Sequence, residues 1–186
     1  KGFYVDVGAH HPTRFSNTYY FYIKGWNGIN LDPIPGIMQS FNDVRSRDIN
    51  LEIGISEVRQ NLYYYRFNDN AYNTFSKEVV ETKRLPYLDS KIVETYPLVE
   101  ILDKYLPNEQ KIDFLNIDVE GLDYEVLISN NWSKYRPYII LIEVLNTPSI
   151  TETMNSKIAL YLKKKGYTMI GKTKNTIFFQ DNINFN

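Results

Sequence analysis

The stretch FYVDVGAHHPTRFSNTYYFY, residues 3–22, joins an apolar run to a polar turn close to the start of the chain. FYVDV, residues 3–7, is rich in β-branched and aromatic side chains and predicts a buried strand that ends in a turn at Gly8. His10 and His11 follow immediately. A carboxylate on the strand, a glycine at the turn and two imidazoles after it predict a site for a small polar ligand.

The rest of the chain alternates apolar runs with amphipathic segments. After the first turn we expect a helix that Ser16 or Asn17 caps and that Gly25 ends. Further strands are predicted at 28–32, 49–56, 62–67, 111–121 and 138–144, and further helices at 34–44, 97–106, 122–130 and 153–165. YTMIGKT and TIFFQD, near the end, predict an antiparallel hairpin. Strands that alternate with helices are typical of an α/β fold with a mostly parallel sheet covered on both faces.

The pattern predicts a single domain over residues 1–186, because no linker, repeat or low-complexity tract divides the chain. Residues 68–97 are the least patterned part, with mixed Asn, Lys, Glu and Pro. We expect this part to be a lid or a surface excursion.

Composition narrows the classes of function. The net charge of −1 argues against a mainly electrostatic interaction with nucleic acid or anionic lipid. The absence of cysteine excludes disulfides, thiolate nucleophiles and Cys-ligated zinc. No apolar run approaches the roughly 20 residues that span a bilayer, and no signal peptide leads the chain. We therefore expect a cytoplasmic protein without a membrane span.

Acidic residues stand where most of the predicted parallel strands end. In parallel α/β sheets ligands bind beyond the carboxyl ends of the strands. Buried charge there is unfavourable unless it is solvated, paired or bound to a ligand. The sequence therefore predicts a functional cleft at this edge, with the following acids around it: Asp6, Asp32, Glu52, Asp118, Glu120 and Glu143.

Asp32 closes the second strand, and a carboxylate at that point commonly accepts the hydroxyls of an adenosine ribose. The alternative is a cap for the helix after Pro33. A ribose contact fits both NAD and S-adenosylmethionine. The first turn lacks G-x-G-x-x-G, with His10 in place of the second glycine, and Asp6 would repel a pyrophosphate. The turn therefore favours a cationic ligand, which S-adenosylmethionine is.

Several stretches together resemble the FkbM-type methyltransferases, which depend on S-adenosylmethionine. They are YVDVGAHHPTRFSNTYYFY, KGWNGINLDP, NTFS, KIDFLNIDVEGLDYEVL and RPYIILIEV. The resemblance implies a class I methyltransferase fold, a Rossmann-like three-layer sandwich with a seven-stranded sheet. It also implies O-methylation of hydroxyls on sugars or polyketides. Other members carry Asn where His10 stands and often Gly where Pro12 stands, so this GAHHP form looks like a subgroup.

The resemblance also implies roles for individual residues in holding the cofactor. Asp6, Gly8 and Ala9 would line its methionine part, and Asp32 would bind its ribose. The chain around Glu52 to Ile55, and with it Ile53, would border the adenine side, together with Asp118 toward the methyl-transfer face. Asn17 either caps the first helix or contacts the cofactor carboxylate.

A sugar hydroxyl needs a base to take its proton as it attacks, and the candidates are His10, His11, Asp118 and Glu120. His10 could instead pack against the cofactor and bond Asp118, and His11 could be a surface turn residue. We favour Asp118 on the cofactor and Glu120 on the acceptor. No metal is predicted, although a hydrated ion between Asp118, Glu120 and a histidine is a further alternative.

The sequence thus predicts an S-adenosylmethionine-dependent methyltransferase that O-methylates a hydroxyl of a small-molecule or glycan acceptor, without nucleic acid as a partner. One alternative is a Rossmann-type enzyme that binds NAD or a nucleotide sugar. It would need a glycine-rich first turn and a Tyr-x-x-x-Lys pair, and neither is present. The other is a non-catalytic domain that binds an adenosyl ligand, although decay would have erased some of the strand-end acids.

Overall fold

The computed structural model describes residues 1–83, 86–145 and 147–183. The strands are β1 Phe3–Val7, β2 Asn27–Leu31, β3 Ile49–Leu51, β4 Gly54–Ile55, β5 Gln60–Arg66, β6 Asp89–Tyr96, β7 Phe114–Ile117, β8 Ile139–Glu143, β9 Tyr167–Lys172 and β10 Thr176–Asp181. The helices are α1 Tyr19–Ile23, α2 Ile37–Val44, α3 Lys77–Lys83, α4 Leu98–Tyr105, α5 Asp123–Ile128, α6 Ile150–Met154 and α7 Lys157–Lys164, with a 3-10 turn at Asn70–Tyr72.

The large sheet has seven strands in the order β3-β2-β1-β7-β8-β10-β9. The first five of these are parallel to their neighbours, whereas β10 is antiparallel to both β8 and β9. The prediction of a mostly parallel seven-stranded sheet with an antiparallel hairpin at the end is therefore confirmed.

Strand β1 lies in the middle of this sheet, and all five of its residues are buried. Because side chains alternate along a strand, Val5 and Val7 pack in the large apolar core on one face, while Tyr4 packs in a smaller cluster on the other. Asp6 belongs to the same face as Tyr4. A strand with a neighbour on each side and two covered faces explains why four of its five residues are apolar.

The predicted strand at 49–56 is wrong as a single element. Residues 49–51 pair with β2, whereas 54–55 pair with β6 in a second sheet of order β4-β6-β5. The chain leaves the large sheet at a turn in which the Ile53 amide donates to the Leu51 carbonyl at 3.0 Å. β3 and β4 therefore belong to different sheets.

The excursion predicted at 68–97 holds regular structure: the 3-10 turn, α3 and the whole of β6. β6 is the central strand of the second sheet, antiparallel to β5 and parallel to β4. Arg84 and Leu85 of this stretch lie outside the described residues. The role of a lid stays a prediction. The described part of the excursion has regular structure and supplies the central strand of the second sheet.

The predicted helix at 153–165 is two helices. α6 ends at Met154, and Ser156 then caps α7, with its side chain accepting from the Ala159 amide at 3.2 Å. A serine placed to accept that bond favours a new helix start over continuation of the old one. In the part of the chain that the structure describes, no helix has the length and hydrophobicity needed to cross a bilayer.

Candidate active site at the carboxyl ends of the strands

A cavity lies where β1, β2 and β7 end, and the second sheet forms its other side. β1 pairs with β2 on one side and with β7 on the other. The strands before and after this point in the chain are therefore added on opposite sides of β1. This is the place where open α/β sheets bind ligands. Nine of the ten predicted site residues line the cavity: Asp6, Gly8, Ala9, His10, Asn17, Asp32, Ile53, Asp118 and Glu120. We call it the strand-end cavity.

Asp6 forms the back of the strand-end cavity and is only 1% exposed. Its carboxylate accepts hydrogen bonds from the Thr18 hydroxyl at 2.5 Å and from the Asn116 amide at 2.8 Å. Burial raises the pKa of Asp6, while these two bonds and the charge of Arg45 lower it. Asn116 in turn accepts from Asn17 at 3.1 Å, so β1, α1 and β7 are joined by one polar network.

This network bears on the role of Asn17. The N-cap of α1 is Thr18, without a side-chain cap bond, so the predicted cap at Ser16 or Asn17 is wrong. The Ser16 hydroxyl oxygen does accept from the Tyr19 amide at 3.1 Å. Asn17 instead directs its amide to Asn116, so it is not the helix cap. Its contact with a cofactor stays a prediction. Asn116 was missed, because a strand position gives no sign that its side chain points to a neighbouring element.

Gly8 is required by the approach of two strands. Its φ of 82° lies in the left-handed region, and a Cβ at this position would lie 1.8 Å from the Asp118 carbonyl oxygen. No other residue fits without separating the ends of β1 and β7. The glycine thus brings the turn after β1 against the segment that carries Asp118 and Glu120.

Asp32 is 4% exposed and accepts from two backbone amides, those of His10 at 2.8 Å and of Ile34 at 2.9 Å. The helix that follows begins at Ile37 with Gly36 as its N-cap, so Asp32 does not cap α2. Each carboxylate oxygen accepts one bond and retains room for another. Burial raises the pKa of Asp32 to about 6, although the hydrogen bonds from the two backbone amides act to lower it.

The raised pKa of Asp32 predicts a pH-dependent stability. Between about pH 4 and 6 the folded protein holds a proton that the unfolded chain has released, so the free energy of unfolding falls as the pH rises through this window. The fall from this group amounts to at most about 3 kcal/mol. Urea unfolding of the wild type and of Asp32→Asn across the window measures it. Parallel curves for the two proteins would contradict the prediction.

His10 sits in the left-handed region with a φ of 54° and lines the strand-end cavity. Among the described residues, neither of its ring nitrogens has a hydrogen-bond partner, although both are buried. The alternative in which this ring bonds Asp118 is therefore not what the structure has. Burial, then the neighbouring His11, lowers the pKa of His10, which favours the neutral imidazole.

His11 is the predicted site residue that does not line the cavity. Its Nδ1 accepts from the backbone amides of Thr13 at 3.1 Å and Arg14 at 3.0 Å. This arrangement matches the alternative of a turn residue. The role of His11 as a base stays a prediction that the geometry does not favour.

Asp118 and Glu120 both line the cavity, because β7 ends at Ile117 and the alternation of a strand no longer applies. Glu120 has a φ of 54° and Gly121 a φ of 110°, which makes a sharp turn. The Thr74 hydroxyl donates to the Glu120 carbonyl at 2.6 Å and ties this turn to the second sheet. The expected inward swing of Glu120 at a turn is thus what the backbone adopts.

Glu143, at the end of β8, lies near the same turn. Single carboxylate oxygens of Asp118, Glu120 and Glu143 all lie within 4.8 Å of one another. Oxygen ligands of this kind suit Mg²⁺ or Ca²⁺, and within the described ranges these three side chains could hold such an ion. Exposed acidic groups lie this close in many proteins without an ion. No metal was predicted, and that stays a prediction.

Two further observations complete the lining. Glu52 is exposed and accepts from the Gly36 amide at 2.7 Å, so this strand-end acid does not take part in the cavity. β5 contributes Tyr64, and the segment between the 3-10 turn and α3 contributes Asn73 and Phe75. The centroids of the Tyr64 and Phe75 rings lie 4.7 Å apart. Asn73 and Phe75 were missed as site residues, and the signal was the NTFS stretch, which contains both.

Comparison with known proteins agrees with this architecture. The family model described as the Methyltransferase FkbM domain matches residues 6–169. The crystal structure of Methyltransferase FkbM from Methylobacillus flagellatus KT at 2.20 Å resolution is similar over 97% of this chain, with a TM-score of 0.60 and 14% identity. The chain spans 43% of that protein's length, and the likeness shows the fold. No curated protein matches the chain.

Proposed function

Since the chain belongs to the FkbM methyltransferase family, we propose that it is an S-adenosylmethionine-dependent enzyme that O-methylates a hydroxyl of a sugar or glycan. Family membership supports the transfer of a methyl group, and the donor and the acceptor are our proposal. The observation that carries it is Asp32, a buried carboxylate at the end of β2 with acceptor capacity left on both oxygens.

The residues of the strand-end cavity fit an adenosyl group. Two vicinal ribose hydroxyls would donate to Asp32 and offset the burial of its charge. Ile34 and Ile53 offer apolar contacts for an adenine ring, and Ala9, which also lines the cavity, would contact the methionine part. Asp6 places negative charge behind that part, which favours a sulfonium and an ammonium.

The position of α1 argues against the dinucleotide alternative. A pyrophosphate binds the amino terminus of the helix that follows the first glycine turn. Here α1 begins only at Tyr19, well beyond Gly8, and His10 occupies the turn. The geometry of the first turn therefore favours a cationic adenosyl ligand over NAD.

Bound S-adenosylmethionine would supply an electrophilic methyl group on a cationic sulfur. Methyl transfer to oxygen is an in-line displacement, so the chain's task is to align the acceptor hydroxyl, exclude water and take the proton. We assign the proton of the acceptor hydroxyl to a ring nitrogen of His10. The lowered pKa of His10 keeps its imidazole unprotonated and therefore free to accept that proton. Glu120, across the cavity, would accept a hydrogen bond from a neighbouring hydroxyl and orient the acceptor.

Replacing Asp32 with alanine should weaken binding of S-adenosylmethionine and S-adenosylhomocysteine by about 1–3 kcal/mol, because the ribose loses its acceptor. Isothermal titration calorimetry with both compounds and with NAD measures this effect. Glu52→Ala is the matched control, since it removes a strand-end acid outside the cavity. Tighter binding of NAD than of S-adenosylhomocysteine, or equal affinities of the two variants, would overturn the assignment.

The acceptor is tested by transfer of a radiolabelled methyl group to a panel of nucleotide sugars and oligosaccharides. Incorporation into protein or RNA alone would contradict the glycan part of the proposal. Binding of S-adenosylhomocysteine without transfer to any acceptor would favour the non-catalytic domain. A cytoplasmic location stays a prediction.

A further inference from the structure

We propose that Phe15 is the platform on which the acceptor's sugar ring stacks at the mouth of the strand-end cavity. This inference rests on the proposed function and adds a specificity-determining residue to it. Phe15 lines the cavity and yet has 75% of its surface exposed.

Exposure along the cavity separates two regions. Three of the residues proposed to hold the cofactor form a buried inner region, with Asp6 1%, Asp32 4% and Ala9 4% exposed. Phe15 belongs to an outer, exposed region of the same lining. A cofactor that fills the inner region leaves the outer one for the second substrate, so Phe15 lies where an acceptor enters.

The backbone holds Phe15 in an unfavourable conformation. Its φ is 57°, which is rare for a side chain with a bulky ring. Of the four non-glycine residues with positive φ in the described ranges, three line the cavity, namely His10, Phe15 and Glu120. Phe15 thus shares its unfavourable backbone conformation with two proposed catalytic residues in the same cavity, which favours a functional role for Phe15 as well.

Hydrogen bonds on both sides of Phe15 anchor the loop that carries its ring. Before it, the His11 ring accepts from the Arg14 amide at 3.0 Å. After it, the Ser16 hydroxyl oxygen accepts from the Tyr19 amide at 3.1 Å and from the buried Arg45 guanidinium at 3.3 Å. An exposed apolar ring on an anchored loop is not explained by folding, because its burial contributes little to the core.

The rim around Phe15 also connects the two sides of the mouth. The Arg14 guanidinium lies 4.6 Å from the centroid of the Phe15 ring, and its Nη2 lies 3.5 Å from an Asp69 carboxylate oxygen. Asp69 accepts from the Ala71 amide at 3.1 Å, and Ala71 lines the cavity. The Arg14–Asp69 pair therefore joins the loop after β1 to the 3-10 turn after β5, beside the ring.

The chemistry of the occupant follows from this arrangement. One face of a pyranose ring presents a set of C–H groups that pack flat on an aromatic face, while its hydroxyls remain free for polar side chains. Arg14 and Asp69 offer a cation and a carboxylate at the rim for those hydroxyls. A linear polyol carries the same hydroxyls but no flat apolar face, so Phe15 should discriminate between the two.

The test measures binding of methyl glucoside, methyl mannoside and methyl rhamnoside to the chain saturated with S-adenosylhomocysteine, by saturation-transfer NMR. We expect binding of at least one pyranoside, no binding of sorbitol, and about tenfold weaker binding to Phe15→Ala. Phe15→Trp should retain binding. Tyr20→Ala is the control, because it removes an aromatic ring that is 62% exposed outside the cavity.

A further variant separates stacking from folding. Phe15→Gly relieves the strained φ, so it should melt no lower than the wild type while losing the pyranoside. A lower melting temperature would make the ring structural and overturn the proposal. Equal pyranoside affinity in the wild type and Phe15→Ala, or no pyranoside binding in a wild type that binds S-adenosylhomocysteine, would also overturn it. Failure of the wild type to bind S-adenosylhomocysteine would refute the proposed function itself.

Discussion

Replacing Arg45 with methionine is expected to lower the free energy of unfolding by about 3–5 kcal/mol. Arg45 is 0% exposed, and its guanidinium donates to the Asp48 carboxylate at 2.9 Å and to the Thr18 hydroxyl at 2.9 Å. The Tyr4 ring centroid lies 5.1 Å from the guanidinium carbon. Methionine would keep much of the volume but leave the buried Asp48 charge without its cation.

Denaturant unfolding measures this loss of stability. Two further variants show whether it comes from the buried ion pair. Arg47→Met is the matched control, because Arg47 is exposed and its hydrogen bond to the Tyr22 carbonyl should contribute only about 1 kcal/mol. Arg45→Met combined with Asp48→Asn should recover part of the stability, since no uncompensated charge is left. Equal losses for the Arg45 and Arg47 variants would show that the ion pair is not what stabilises this region.

The parts of the fold that the sequence predicts are those whose burial is continuous along the chain. β1, β2, β7 and β8 are apolar runs because a central parallel strand is covered on both faces. β6 escaped prediction because only one of its eight residues is buried and its partners, β4 and β5, lie far back along the chain. A strand held mainly by backbone pairing leaves no hydrophobic period to detect.

The candidate site shows the same limit at the level of single residues. Asp32 and Glu52 both follow strands, yet one lines the cavity and the other bonds a loop amide outside it. Arg45 gave no signal, because its partner Thr18 lies far back along the chain and meets it only in the folded protein. Sequence position predicts the edge of the sheet, whereas the direction of each side chain depends on the turn that follows.

His10 and His11 are the sharpest case, since they are neighbours with different surroundings. The left-handed φ at His10 accompanies a ring in the cavity, while the ring of His11 accepts from two amides of its own turn. Nothing in the dipeptide itself distinguishes the two. Only the packing of the turn after β1 against β7, which Gly8 permits, separates them.

That difference predicts the largest catalytic effect. His10→Asn should lower kcat for methyl transfer by about 100- to 10,000-fold, because an amide cannot take the proton from the acceptor hydroxyl. Asparagine adopts a positive φ more readily than most residues, so the turn should persist. The hydrogen bond from the backbone N–H of residue 10 to the Asp32 carboxylate should persist with it. Affinity for S-adenosylhomocysteine should therefore stay within about twofold of the wild type.

The choice of asparagine makes this test discriminating, because it tolerates the positive φ of residue 10 but cannot act as a base. His11→Asn is the control and should retain kcat, since its ring lies outside the cavity. In the wild type, activity should fall on the acidic side with a pKa below the ordinary 6.5, because burial lowers the pKa of His10. If His10→Asn keeps full activity with an unchanged pH profile while Glu120→Gln loses it, the proton passes to Glu120, and His10 serves to shape the cavity.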